Sequence, residues 1–250
     1  MDNTPIDQLS DTMNNLADQV SPDRVAIITG AGGSLASAVI PTFAQQEWRL
    51  GLLTHGSDDA ERLQQSYAGA LALDVDLTDY DQTVQAVKQI ETRFGKVDAL
   101  INLVGGFGMA PATEETLSGL NKQLHLNLIT VFNATRAVLP GMLERGDGFI
   151  LGTSAGAALN GGAKMGAYAA AKGALTAYLK SVHAEVASQG VDVTVLYPMG
   201  TLDTPPNRDA MPGTDPETWI SPTELAASIL HAATRGPRGR IPELMVYPPA

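Results

Sequence analysis

The sequence predicts an α/β protein: a doubly wound parallel sheet of about seven strands, with helices on both faces. Three observations lead there. Short β-rich runs alternate with stretches of helical period from Arg24 to the C-terminus, the pattern of repeated right-handed crossovers. Runs such as Val25-Ala26-Ile27-Ile28 and Val193-Thr194-Val195-Leu196 have no polar alternation, which suits strands covered on both sides. A glycine-rich turn directly follows the first run and opens a helix.

The elements follow in order. Residues 1–22 form an extension in which Ile6, Leu9, Met13, Leu16 and Val20 recur every three or four positions. That is one apolar stripe of a short helix, which docks on its own domain or on a neighbouring subunit. Ser21-Pro22-Asp23 turns into a single domain spanning 23–250. Strands are predicted at 25–29, 50–53, 70–74, 99–102, 149–151, 191–196 and 244–247. Helices are predicted at 35–46, 60–66, 80–94, 114–143, 166–188 and 222–233. The stretch 198–222, rich in Pro, Asp and Thr, has no clear period. Long irregular loops in compact domains are commonly functional, so this one is the candidate substrate lid.

Composition narrows the function classes. With 250 residues, 44% of them hydrophobic and 17% charged, the chain can bury one large core. A net charge of −11 argues against nucleic acid or an anionic membrane surface as a partner and leaves a small-molecule substrate open. The absence of cysteine excludes disulfides and thiolate zinc sites. His55, His125, His183 and His231 lack HExxH-like spacing, so no transition metal is expected. No apolar run approaches membrane-spanning length and the N-terminus lacks a signal core; the expected location is cytoplasmic.

Candidate chemistry gathers at strand ends. In Thr29-Gly30-Ala31-Gly32-Gly33-Ser34-Leu35-Ala36, backbone N–H groups and a helix N-terminus can face a pyrophosphate. A tight turn with Ser34 as helix N-cap is the plainer reading of the same residues. Asp76, just past the third strand, could accept from an adenine amino group, while Thr78 and Asp79 read as caps of the next helix. Asn102 and Gly105 end the fourth strand, where small residues let a ligand approach closely.

Tyr168-Ala169-Ala170-Ala171-Lys172 puts two long polar side chains one turn apart on one helix face. A phenol is a poor proton shuttle at neutral pH, and a nearby ammonium lowers its pKa. So tuned, it can protonate a carbonyl oxygen as hydride arrives, or deprotonate an alcohol in reverse. An amphipathic helix with an exposed lysine and a half-buried tyrosine would give the same spacing. Gly152-Thr153-Ser154-Ala155-Gly156 also fits the GxSxG elbow of a serine hydrolase, with Asp203 and His231 following in the right order. Against that reading, Asn160-Gly161-Gly162 interrupts the helix an elbow should launch, and no HGGG-type oxyanion loop precedes it.

Taken together and in order, Thr29-Gly30, Asp76-Leu77-Thr78-Asp79, Asn102 with Gly105, Asn127, Ser154 and Tyr168/Lys172 resemble the short-chain dehydrogenases/reductases. The resemblance implies a Rossmann-like sheet ordered 3-2-1-4-5-6-7 and a nicotinamide cofactor, NAD or NADP. It also implies Tyr168 as acid/base, with Lys172 as its tuner and a ribose ligand. Ser154 would polarise the substrate oxygen, and Asn127 would hold a water linking Lys172 to solvent. Cofactor contacts would come from Gly30, Gly32, Ser34, Leu35, His55, Asp76, Leu77, Asn102, Gly105 and Pro198, with Leu202 and Thr204 near the nicotinamide amide. Homodimers and homotetramers are usual in the family. Residues 156–168 and Thr201-Leu202-Asp203-Thr204-Pro205-Pro206-Asn207-Arg208 further resemble quinonoid dihydropteridine reductase and its bacterial relatives.

Three departures stand out. Ser34 and Ala36 replace glycines of the usual turn. Ser154 lies fourteen residues before Tyr168, whereas the commoner spacing of thirteen selects Ala155. Leu53-Thr54-His55-Gly56 offers neither a carboxylate for a ribose diol nor an arginine for a 2′-phosphate. The expected activity is hydride transfer between a nicotinamide and a small carbonyl, alcohol or quinonoid substrate; a non-catalytic dinucleotide-binding regulator is the alternative.

Overall fold

The computed structural model describes residues 24–236 and 238–250; the helix expected at 4–20 lies outside them. Seven strands, β1 (Val25–Thr29), β2 (Arg49–Thr54), β3 (Leu71–Asp74), β4 (Ala99–Asn102), β5 (Gly148–Thr153), β6 (Val191–Pro198) and β7 (Glu243–Val246), form one sheet. Its order is β3-β2-β1-β4-β5-β6-β7, with every neighbouring pair parallel. The order and the doubly wound architecture are those the sequence implied.

Period-two side-chain direction divides the core between the two faces. Val25 and Ile27 of β1 join Leu100, Ile150, Val193 and Val195 in one cluster, closed by Val87 and Ile90, Val138 and Met142, and Leu175 and Leu179. These come from α3 (Tyr80–Phe94), α5 (Thr130–Arg145) and α7 (Gly166–Val186). Ala26 and Ile28 join Leu52, Ile101, Leu151 and Leu196 on the opposite face, beneath Val39, Ile40, Phe43, Leu63, Leu225 and Ile229. Those belong to α1 (Ala36–Ala44), α2 (Ser57–Ser66) and α9 (Pro222–Thr234), with α1 packed on α9. Since both faces of β1 are buried, its uninterrupted apolar run is explained.

Two elements differ from expectation. The single helix predicted over 114–143 is three pieces: α4 (Leu117–Leu124), a π-helical turn at His125–Ile129, and α5. Thr116 sets its start by accepting from Gly119 N–H at 3.0 Å, a cap that leaves 114–116 outside. The second difference is in 198–222, which is not a structureless loop. It holds α8 (Pro205–Ala210) and a 3₁₀ turn (Pro216–Thr218), and Leu202 bridges Ile220. A short helix, α6 (Ala157–Asn160), also follows β5. Among the described residues no helix is long and apolar enough to cross a membrane.

Candidate active site

Because every strand is parallel, all carboxyl ends emerge along one edge. Thr29 pairs with Leu53 and Asn102, Asn102 with Gly152, and Thr153 with Leu196. Ligands of open α/β sheets bind outside this edge, where the strand order reverses beside β1.

The glycine-rich turn is built for close approach. Gly30 has a φ of 65°, and a Cβ there would stand 3.0 Å from Val104 N. Gly33 N–H donates to Gly30 O at 2.9 Å and Ala31 N–H to Leu53 O at 3.0 Å, which fixes the loop. Ser34 does not cap the helix. Leu35 takes the N-cap position without any side-chain bond, and Ser34 serves through its carbonyl, which accepts from Ser37 Oγ at 2.7 Å. That leaves the leading N–H groups of α1 without a side-chain cap, the arrangement that favours an anion there. The narrow cradle and the uncapped helix fit a dinucleotide.

Asp76 is drawn into its own turn, accepting from Thr78 Oγ1 at 2.6 Å and Thr78 N–H at 2.9 Å. These bonds, the side-chain one foremost, hold its carboxyl below the ordinary range. Asp79 caps α3, accepting from Asp81 and Gln82 N–H; Thr78 does not cap but supports Asp76. Leu77 is buried in the core, and its carbonyl accepts from Asn133 Nδ2 at 2.9 Å. His55 is exposed at the end of β2, and Pro198 closes β6. Asn102 donates to Leu151 O at 3.1 Å, while its Oδ1 is buried without a partner.

Lys172 and Asn127 converge. A Cβ on Gly105 would stand 2.9 Å from both Asn127 Oδ1 and Lys172 Nζ. The wide turn at His125–Ile129 carries Asn127, which donates through Nδ2 to Gly106 O, Gln123 O and Gln123 Oε1, and accepts from Gly106 N–H. Wide helical turns of this kind recur at functional sites. His125 faces outward and hydrogen-bonds only Asn121 O among the described residues. Lys172 is 4% exposed, its ammonium 2.7 Å from Thr153 O.

Tyr168 lies one turn ahead of Lys172 on α7 and is half-buried. Phe107, 60% exposed, packs edge-on against its ring with centroids 5.1 Å apart. Among the described residues no group hydrogen-bonds its hydroxyl. The expected acidification of this phenol is not present. Burial pushes Tyr168 above its usual value, and burial pulls Lys172 down to about 8. The reason is geometric: the ammonium is directed to Thr153 O, and desolvation disfavours the charged form of both groups.

Ser154 is enclosed. Its side chain is 2% exposed and turned onto α7, donating to Lys172 O at 3.2 Å and sharing a 2.8 Å bond with Thr176 Oγ1. A hydroxyl so enclosed does not face a substrate oxygen. Ala155, thirteen residues before Tyr168, follows it without a polar group. The hydrolase constellation does not assemble either. Asp203 gives both oxygens to Arg208, and His231 is exposed on α9, across the sheet from Ser154. Leu202 and Thr204 sit at the root of the 198–222 segment. Leu202 O accepts from Asn207 Nδ2 at 2.8 Å, and Thr204 is buried at the start of α8.

Sequence reading missed Asp59, Thr153, Thr176 and Phe107. Asp59 arrives from the first turn of α2, away from the strand end where such a carboxylate ordinarily stands. The others act through a backbone oxygen, a buried hydroxyl and an exposed ring, none of which has a motif. Among the described residues no group of three or more His, Asp or Glu side chains is placed to hold a metal.

Comparison with known proteins places the family and the fold. Residues 24–214 match the short chain dehydrogenase family. An uncharacterized oxidoreductase of Staphylococcus saprophyticus is 26% identical over 90% of this chain and 97% of its own length. Levodione reductase of Leifsonia aquatica is 28% identical over 89% of this chain and 84% of its own. A short-chain dehydrogenase structure from Streptomyces avermitilis superposes with a TM-score of 0.79 at 24% identity, covering 89% of this chain and 88% of that one.

Proposed function

Because the chain belongs to the short-chain dehydrogenase family and is an oxidoreductase of that fold, we propose that it transfers hydride between a nicotinamide dinucleotide and a small carbonyl, alcohol or quinonoid compound. The observation that supports this reading is the meeting of Lys172 and Asn127 beside Gly105 at the carboxyl edge of the sheet, with Tyr168 one turn ahead of Lys172 on α7. The dinucleotide supplies or accepts the hydride. The chain's own residues bind it and manage the proton.

Gly30 and Gly32 let the dinucleotide lie close to the turn, and the uncapped start of α1 faces the pyrophosphate charge. Asn102 Oδ1, buried and unpartnered, lies on the wall, which Leu77, Gly105 and Pro198 border. Leu202 and Thr204 border the nicotinamide end. Tyr168 Oη exchanges a proton with the substrate oxygen. Burial favours the neutral phenol, the form that donates when a carbonyl or quinonoid group is reduced. Lys172, held by Thr153 O, keeps a positive charge beside the developing oxyanion up to about pH 8. Asn127, fixed by its bonds to Gly106, would hold a water that links Lys172 to solvent. The name of the Leifsonia relative is in keeping with a reductase. Assembly into dimers or tetramers, usual in the family, goes with this reading.

Tyr168→Phe tests the reading. General acid–base terms contribute about 10²–10⁴-fold, so kcat on a panel of carbonyl and quinonoid compounds should fall by at least ~10²-fold with dinucleotide affinity near normal. Unchanged kcat would remove Tyr168 from the chemistry. A wild-type protein that binds dinucleotide and turns over nothing on the panel would point to a binding protein instead.

A further inference from the structure

The end of β2 carries no charged group that could choose between the two nicotinamide dinucleotides, but a different element supplies one. Asp59, in the first turn of α2, reaches back over the glycine-rich turn. A Cβ on Gly32 would collide with Asp59 Oδ2 and stand 3.0 Å from Thr54 Oγ1. The carboxylate therefore occupies the space just above Gly32, between β1 and β2. The approach is held in place from β3, where Asp74 Oδ1 accepts from Gly56 N–H at 2.7 Å and fixes the loop that leads into α2.

We infer that Asp59 selects the dinucleotide, accepting from the ribose hydroxyls of NAD and repelling the 2′-phosphate of NADP. The inference rests on the dinucleotide reading above. A carboxylate beside this turn can accept from a vicinal diol, as acidic groups reaching the same ribose from other positions do. A phosphomonoester there brings about −1.5 to −2 charge and acceptor oxygens, so it meets the carboxylate with repulsion. Arg62 does not reverse the sign. It is bonded to Asp59 Oδ1 at 2.7 Å, and its side chain is 59% exposed. Asp58 in the same turn adds charge of the same sign as Asp59, and His55 is exposed nearby.

The test is calorimetric titration of the full chain with NADH and NADPH separately, for wild type, Asp59→Asn and Asp59→Ser. Circular dichroism checks that each variant is folded, and Asp59→Ser covers the case in which the amide misfolds. Wild type is expected to bind NADH at least about tenfold more tightly than NADPH. Both variants should shift the ratio of the two dissociation constants toward NADPH by about tenfold, from weaker NADH and stronger NADPH binding together. Equal or tighter NADPH binding by wild type overturns the inference and leaves the dinucleotide reading standing. So does an unshifted ratio in folded variants. Binding of neither dinucleotide by folded wild type overturns both.

Discussion

Replacing Lys172 by methionine should make the empty protein more stable at neutral pH. Lys172 is 4% exposed, and burial lowers its pKa from an ordinary 10.5 to about 8. That difference corresponds to ~3 kcal/mol against the folded state wherever the lysine is charged in both states. Methionine fills a similar volume and carries no charge to desolvate. The substitution leaves Thr153 O without its 2.7 Å donor, a loss of about 1 kcal/mol. The net gain is ~2 kcal/mol, or a Tm higher by roughly 4–8 °C for a chain of this size. The pH dependence fixes the sign. The folded protein holds this proton less tightly than the unfolded chain, so the penalty is complete below pH 8 and is relieved between about 8 and 10.5. Melting curves of wild type and Lys172→Met should therefore converge across that window and then cross, leaving the variant weaker by its missing bond. A variant less stable than wild type at pH 7 would refute the desolvation argument.

Two further outcomes follow from the same geometry. The pH profile of kcat/KM reports groups of the free enzyme, so for the reductive direction it should be flat near neutrality and fall above about pH 8 as Lys172 loses its proton; a profile flat to pH 10 would separate the ammonium from catalysis. Ser154→Ala should cost about 1–3 kcal/mol in urea unfolding, because it strands buried partners on α7, yet lower kcat by far less than the ~10²–10³-fold typical of an oxyanion donor; a kcat loss of that larger size would restore Ser154 to the substrate oxygen.

The sheet was legible because parallel strands buried on both faces leave apolar runs that no surface element would carry, as Val25–Thr29 does. Tyr168 and Lys172 were legible for another reason: a pair one helical turn apart is settled by local geometry alone. The direction of Ser154 was not legible because side-chain direction at a strand end turns on a single residue of register, and the sequence offered Thr153, Ser154 and Ala155 in succession. The break at His125–Ile129 was invisible because apolar residues continue on both sides of it. Asp59 was missed since its position over Gly32 depends on how α2 packs against a turn 27 residues earlier, a distance in sequence that no motif spans.

The wide turn has a consequence for anyone who compares or transplants this region. One residue more than a regular coil is accommodated there, so the faces of α4 and α5 are offset from each other about the common axis. An alignment that treats 117–145 as a continuous coil will assign inward and outward positions correctly on one side of the turn and misassign them on the other. A chimera that swaps the segment and regularises it by a single deletion would rotate Asn127 out of the crevice while leaving helix content unchanged, and circular dichroism would not reveal the error.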